Sequence, residues 1–303
     1  MLVIGSRGSK LALWQAEYTK ARLEGLGQEC RVEIITTSGD RFQSGPLKEV
    51  GNKGLFTKEI EDALLAGSID LAVHSLKDVP TMIPDGLKIV ATPEREDPRD
   101  AMVGLKLADV PAGGKIGTGS LRRIAQIGAA RPDVTAAPVR GNVDTRLRKL
   151  DEGQFDAIVL AAAGLRRLGW GERIAEYLDP EVMCPAVGQG SLAFETRDDG
   201  GAAFAACLRM NHAPTHAAIT AERAVLSVLG GGCQVPVGAY AVVSEDGVLS
   251  LRAVVSSPDG RTLVKRDGSG PAVDAAAIGH RVGEALLKAG AREILAAVYG
   301  QGG

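Results

Sequence analysis

The sequence predicts an α/β fold arranged as two lobes, followed by a smaller α+β domain, and three observations predict it. Short apolar runs alternate with longer stretches of helical period through the first two thirds of the chain, the rhythm of parallel strands covered by helices. Two charged or glycine-rich segments broken by proline, EREDPRD at 94–100 and CPAVGQGS at 184–191, are placed to carry the chain from one lobe to the other and back. After about residue 235 the rhythm changes to hairpin-like strands and one long helix. A chain of 303 residues also exceeds a usual single core, so more than one domain is expected.

Along the chain, LVIGS reads as a strand, LALWQAEYTKARLEGL as a helix and VEIITTSG as the next strand. The stretch 41–56, RFQSGPLKEVGNKGLF, carries Gly45, Pro46, Gly51 and Gly54 with Lys48 and Lys53 and has no clean period, which suits a surface loop or a mobile lid. FTKEIEDALLAG is helical and DLAVHSL a strand; KIGTGS leads into the helix LRRIAQIGAA, and FDAIVLAAAGL is a further apolar strand. In HAPTHAAITAERAVLSVL the residues Ile219, Val225, Leu226 and Leu229 recur near a 3.6-residue period, and Gly230 is placed to stop the helix. YAVVS, GVLSLRAVVSS and RTLVKRDG then read as strands, with a helix from about Val273 to Ala289. The expected division is lobe 1 over 1–94 and 190–208, a basic lobe 2 over 99–184, and the C-terminal domain over 213–303. Two crossings between lobes make a hinged body with a ligand cleft.

Composition narrows the function. No run approaches the roughly 18 apolar residues that span a bilayer, and MLVIGSRGSK lacks a signal peptide's apolar region, so a soluble, cytoplasmic protein with no membrane partner is expected. The four cysteines, at 30, 184, 207 and 233, form no CxxC, which disfavours a disulfide framework and a zinc ribbon. His212 and His216 have the spacing of a metal pair, but HAPTH lacks the glutamate of HExxH and carries Pro214 between them, so no metal is expected. A net charge of −2 excludes a generally basic nucleic-acid binder. The charge is nevertheless uneven: from Lys115 to Arg173 there are eleven Lys or Arg, nine of them arginine, against six acids, whereas Ala213 to the end is balanced at eight of each. Arginine's planar fork pairs at two points with carboxylates or phosphates, so an anionic ligand suits this region as well as a salt-bridged surface does.

Three basic stretches recur at similar structural points. GTGSLRR runs from a strand into a helix, so backbone N–H groups near Ser120, with Arg122 and Arg123 in the first turn, are placed to cradle an anion. It is neither a Walker loop nor a dinucleotide fingerprint. VRGNVDTRLRKL puts Arg140 at the end of a strand with Arg146 one and a half turns on, and AAAGLRRLGW sets Arg166 and Arg167 immediately after an apolar strand. Three such clusters suggest a polyanion site. In DLAVHSLKDVP, His74 lies within a mostly apolar strand and reads as a core residue, while Lys77 and Asp78 come at the strand's end. They are either an exposed charged pair or site residues; in a site, Asp78 would be the one carboxylate among many cations, able to stabilise developing positive charge or transfer a proton. GGGCQVPVG frees the backbone around Cys233 and ends at Pro236, which suits a loop tip.

Taken together, SRGSKLALWQA, VGNKGLFTKE, DLAVHSLKDVP, EREDPRDA, GTGSLRR, VRGNVDTRL, LAAAGLRRLG, PAVGQG and GGGCQVP resemble the porphobilinogen deaminase (hydroxymethylbilane synthase) family, over nearly the whole chain and in order. Only the last sixty or so residues are weakly marked. The resemblance implies a transferase of tetrapyrrole biosynthesis that condenses four porphobilinogens head to tail, releases ammonia each time, and hydrolyses off linear hydroxymethylbilane. It implies that Cys233 carries a dipyrromethane cofactor through a thioether, and that the protein is a monomer. Each pyrrole bears an acetate and a propionate, so six rings bring ~12 carboxylates into one site, and a positive lining offsets their repulsion. Carried over residue by residue, Lys77, Ser120, Arg122, Arg123 and Arg146 hold the cofactor and Arg7, Ser9, Arg140, Arg167 and Gln189 the substrate. Asp78 is the catalytic carboxylate, stabilising the azafulvene cation through the pyrrole N–H groups, and Phe56 lies beside the cofactor.

Two positions depart from the family pattern: Gly119 stands where a serine is frequent, and RGSK replaces a more usual RxSP. The hinged lobes also resemble type II periplasmic binding proteins, so a binding module without catalysis is an alternative; it would not require Asp78 and Cys233 together. A cysteine hydrolase would need a base beside Cys233, and His212 and His216 precede the helix that leads to it.

Overall fold

The structure, a computed structural model, describes residues 1–41, 57–230 and 235–300. From residue 42 on, the 41–56 stretch lies outside the described residues, as do Phe56 and Cys233.

In chain order the strands and helices are β1 (Leu2–Ser6), α1 (Lys10–Gly25), β2 (Cys30–Ile34), α2 (Ser38–Arg41), α3 (Lys58–Leu65), β3 (Leu71–Ser75) and β4 (Leu87–Ala91). There follow β5 (Asp100–Gly104), β6 (Lys115–Gly117), α4 (Leu121–Ala130), β7 (Thr135–Ala137), α5 (Val143–Asp151), β8 (Ala157–Ala161), α6 (Ala162–Arg167) and β9 (Ile174–Tyr177). The last part holds β10 (Leu192–Arg197), α7 (Ala202–Leu208), α8 (Ala213–Val228), β11 (Val237–Val243), β12 (Val248–Ser256), β13 (Leu263–Pro271), α9 (Ala275–Leu286) and α10 (Arg292–Gly300). The chain divides into two compact units, one of Met1–Arg95 with Ser191–His216 and one of Glu96–Gly190 with Ala217–Gly303.

The first unit holds a five-stranded sheet of order β2-β1-β3-β10-β4. β1 runs parallel to β2 and β3, and β10 pairs antiparallel with both β3 and β4, so the strand contributed by the returning chain is inserted next to the centre. Parallel neighbours need a long crossover, which α1 supplies between β1 and β2. Ser9 starts α1: its extended backbone ends the preceding loop and its Oγ accepts from Ala12 N at 3.3 Å. One face of the sheet packs Ile4, Val73 and Phe194 with Leu23 and Ala206, and the other packs Ala72 with Ile60, Leu64 and Ile69. Phe194 is fully buried, a side chain worth roughly 1.5–3 kcal/mol of hydrophobic stabilisation.

The second unit contains two sheets. One has the order β7-β6-β8-β5-β9, with β6 parallel to β7 and β8 and β5 antiparallel to β8 and β9. Its central β8, AIVLA, is an unbroken apolar run because both faces are covered, by Ile116 and Ile127 on one side and Leu147 and Leu165 on the other. The other sheet is the antiparallel meander β11-β12-β13. Alternate residues of β12, Leu249, Leu251, Ala253 and Val255, enter a core with Val225 of α8 and Ile278 and Val282 of α9. Two α/β sheets and a C-terminal meander under helices give the α/β class and the C-terminal α+β part that the sequence predicts. Among the described residues no helix is long and apolar enough to cross a membrane.

Several elements are not evident from sequence periodicity; among them β4, β5, β9, β10 and α7 are short and flanked by charge. After Leu286 the C-terminal helix passes into a π-helical stretch, Leu287–Ala291, and Gly290 at φ 104° kinks the path just past Ala289, where the sequence ends the helix, before α10 continues. Arg166 and Arg167 do not follow β8 directly. Ala162–Arg167 coil into the short helix α6, whose buried small residues face the sheet, and the arginines close it.

Gly279 of α9 lies against α8 so closely that a β-carbon there would meet Ala221 O at 2.2 Å. Gly279→Ala is expected to cost ~1–3 kcal/mol, read as a lowered thermal midpoint with β-sheet content retained.

Candidate active site

In the first unit, β3 delivers its charged residues to the sheet edge through one 3₁₀ turn, Leu76–Asp78. Leu76 and Val79 are buried and hold the turn from either side, Val79 N bonds back to Leu76 O at 3.0 Å, and Leu76 N donates to Ser191 O at 3.0 Å. The alternation leaves Lys77 half-buried and Asp78 exposed. Beneath them Gln15 of α1, a buried side chain absent from the sequence reading, donates from Nε2 to Ser75 Oγ at 2.8 Å. Arg7, half-buried, and the capping Ser9 stand in the loop between β1 and α1. His74 is a core residue as read: Nε2 lies 2.9 Å from Glu195 Oε2 with both side chains buried, and burial pushes the neighbouring Glu61 pKa up.

In the second unit, β6 hands over to α4 with Ser120 as the extended N-cap residue, and Ser120 N donates to Thr118 Oγ1 at 3.2 Å. Arg122 and Arg123 in the next turn point inward and are 4% and 5% exposed, not laid along a solvent-facing cradle. Their common partner is Asp100, the first residue of β5 and wholly buried. Arg122 Nη1 donates to Asp100 Oδ2 at 2.6 Å and to Cys184 O at 2.6 Å. Arg123 donates to Asp100 Oδ1 from Nε at 2.9 Å and Nη2 at 2.7 Å, and from Nη1 to Val159 O at 3.0 Å. Gln189 joins from the PAVGQG segment, its Nε2 donating to Asp100 Oδ1 at 2.9 Å and Pro98 O at 2.7 Å. Three residues that the sequence assigned separately to ligand thus meet on one carboxylate that it did not single out. The signal for Asp100 was weak, an acid closing a run of charge yet starting an apolar strand.

Burial by itself would raise the Asp100 pKa; the charges of Arg122 and Arg123 and the hydrogen bonds of Arg122 and Gln189 overcome it and hold the carboxyl below the usual carboxylate range. Burial pulls the Arg123 guanidinium downward as well, against Asp100. Arginine's ordinary pKa lies so far above neutrality that the cluster is fully ionised. It therefore holds two positive charges and one negative charge, and Arg122 Nε is buried with no hydrogen-bond partner among the described residues.

The other arginines of the basic stretches stand at two further turns of the second unit. Gly141 at φ 110° bends the chain between Arg140 and α5, Arg146 Nε donates to Gly141 O at 2.8 Å, and Arg140 stays exposed. Arg167 Nη2 donates to Gly190 O at 2.6 Å, while Arg166 pairs with Glu96 at 2.9 Å. The three described cysteines are buried, and burial raises each thiol, Cys184 and Cys207 to about 12. His212 Nδ1 lies 2.9 Å from Thr215 Oγ1, and among the described residues no group of three or more His, Cys, Asp or Glu side chains is placed to hold a metal ion.

Comparison with known proteins gives these positions a context. Residues 2–204 match the family model described as "Porphobilinogen deaminase, dipyromethane cofactor binding domain", and residues 216–288 the one described as "Porphobilinogen deaminase, C-terminal domain". The porphobilinogen deaminase of Syntrophobacter fumaroxidans is 51% identical over 301 residues, covering 98% of this chain and 97% of that protein. That of Chromobacterium violaceum is 50% identical over 305 residues, covering 99% and 98%. Among solved structures, a periplasmic substrate-binding protein of an ABC transporter from Coxiella burnetii aligns with 71% of this chain and 93% of its own at 14% identity and a TM-score of 0.43.

Asp100→Asn leaves two buried guanidiniums uncompensated, and a loss of about 3–5 kcal/mol is expected at neutral pH. Because the folded pKa lies below the unfolded one, the stabilisation is complete above about pH 4 and is lost as the pH falls through the depressed folded value. Urea unfolding of both proteins at pH 7 and pH 3 should show the gap narrowing in acid.

Proposed function

Since this chain belongs to the porphobilinogen deaminase family, we propose that Asp78 is its catalytic carboxylate, Cys233 the covalent anchor of its dipyrromethane cofactor, and its arginines the groups that hold the ligand's acetates and propionates. The reaction condenses four porphobilinogens head to tail on a dipyrromethane primer and releases hydroxymethylbilane by hydrolysis. Each addition breaks the aminomethyl C–N bond of one porphobilinogen and joins that methylene to a pyrrole α-carbon. The α-carbon loses a proton, and ammonia leaves.

When bound, the dipyrromethane supplies the α-carbon on which the chain grows and a covalent hold on the product. The residues fit such a group. The buried Arg122–Asp100–Arg123 cluster carries one net positive charge and one unpartnered N–H, so a carboxylate is the ligand it accepts. Lys77, Ser120, Arg122, Arg123 and Arg146 are assigned to the cofactor's acidic groups, and Arg7, Ser9, Arg140, Arg167 and Gln189 to the substrate's. Ser9 can serve both ends, since a hydroxyl that accepts from Ala12 N still has a proton to donate. Cys30, Cys184 and Cys207 are buried thiols with raised pKa values, which supports Cys233 as the thioether-forming cysteine.

The observation that carries the mechanism is the turn at Leu76–Asp78, which exposes one carboxylate on a rigid strand end beside a cation. From there Asp78 hydrogen-bonds pyrrole N–H groups, stabilises the positive charge left when the amine departs, and moves the proton between α-carbon and amine. The three-part division at 1–94 with 190–208, 99–184 and 213–303 is proposed for the chain, supported by its three sheets, together with a monomeric state and a cytoplasmic location.

Asp78→Ala is expected to lower turnover ~10²–10⁴-fold, measured as ammonia release; a purified variant with near-normal rate removes this role. The direct test of the anchor is the intact mass of the protein beside Cys233→Ala. A two-pyrrole excess over the polypeptide mass in the first and its absence in the second are expected; bare polypeptide masses for both after incubation with porphobilinogen would leave a binding protein without the chemistry.

A further inference from the structure

We infer that Asp100 is a positioning residue for cofactor loading, acting through Arg122; this rests on the reading that Arg122 receives a cofactor carboxylate. Two arginines adjacent in sequence, both about nineteen-twentieths buried, repel one another and lose their hydration. Asp100 makes the arrangement possible by dividing its two oxygens between them, Oδ2 to Arg122 and Oδ1 to Arg123. The division is unequal in its consequence. All three nitrogens of the Arg123 guanidinium are engaged, on Asp100 and Val159 O, so what this side chain offers the cofactor is its charge rather than an aimed N–H. Among the described residues Arg122 is clamped through Nη1, between Asp100 Oδ2 and Cys184 O at 2.6 Å each, and its buried Nε has no partner.

A guanidinium is planar, so fixing Nη1 against two acceptors fixes the direction of Nε–H. The carboxylate that orients Arg122 is itself fixed from a third side, because Gln189 Nε2 bridges Asp100 Oδ1 and Pro98 O. Asp100 has no solvent exposure and touches no ligand in this role. It aims the donor and leaves the cluster one positive charge with which to bind an anion.

The test is a double-mutant cycle on loading of the full-length chain expressed in cells that make no porphobilinogen. Wild type, Asp100→Asn, Arg122→Ala and the double variant are incubated with porphobilinogen, and the rate at which the two-pyrrole mass appears is followed by intact mass spectrometry. Each single substitution is expected to slow loading at least tenfold, with the double variant within about twofold of the slower single. Effects that multiply in the double variant would overturn the inference, since Asp100 would then act independently of Arg122. So would an Asp100→Asn protein that loads at the wild-type rate. If Asp100→Asn does not fold, the same cycle is run with Asp100→Glu, which keeps the buried negative charge but moves its oxygens away from Arg122 Nη1; the expectation is a two- to fivefold slowing that disappears in the Arg122→Ala background, and a slowing that persists there overturns it. A wild type that gains no mass overturns the functional reading itself, and this inference with it.

Discussion

One buried carboxylate holds together much of what the second unit offers to a ligand. Asp100 begins β5, contacts no solvent, and gathers Arg122, Arg123 and Gln189 around its two oxygens. A lone carboxylate in that environment would be costly, and so would either arginine; together they are mutually compensating, with charge left over. That arrangement joins the first turn of α4, the start of β5 and the PAVGQG segment in one electrostatic unit. PAVGQG is tied down again one residue earlier, where the buried Glu222 of α8 accepts from Gly188 N at 2.7 Å and from Ala241 N at 2.8 Å. Two carboxylates from distant parts of the chain thus fix two consecutive residues, Gly188 and Gln189, and the next, Gly190, receives Arg167.

The backbone continues the same logic across the point where the chain changes units. Gly190 O accepts from Glu96 N at 3.2 Å within the second unit, and Ser191 O accepts from Leu76 N at 3.0 Å within the first. Gly190 has φ 88°, and a β-carbon there would lie 2.3 Å from Glu96 O, so glycine is required by both conformation and space. Neighbouring residues therefore anchor the outgoing crossover on one side and the Lys77–Asp78 turn on the other. The antiparallel insertion of β10 between β3 and β4 is what brings Ser191 to that turn.

In the family's chemistry, where the ligand is a polyanion that grows, cations of two kinds have distinct uses. Arg140 is exposed and Arg146 and Arg167 are half-buried, the last two donating to the backbone carbonyls of Gly141 and Gly190. Arg122 and Arg123 are buried and clamped, suited to something that stays. Asp78 is set apart from both kinds, an exposed acid on a rigid turn.

Much of this was legible in the sequence because it is written in local patterns. The alternation of apolar runs and helical periods, the strand-to-helix passage at GTGSLRR, the strand end at His74 to Asp78 and the switch to hairpins near residue 235 each depend on neighbours a few positions apart. The short elements escaped because β4, β5, β10 and α7 run for only five to seven residues, too few to show a period, and Arg166 and Arg167 were displaced because residues 162–165 were enough to make a turn of helix. Side-chain direction was not local information. Whether Arg122 and Arg123 face water or the core depends on where β5 and PAVGQG come to lie, over twenty and over sixty residues away along the chain. The sequence by itself determined the fold class, the family and the residue types of the site. The tertiary structure alone decided that two of the arginines share a hidden carboxylate, because only packing brings a charge at the start of one strand against the first turn of a distant helix.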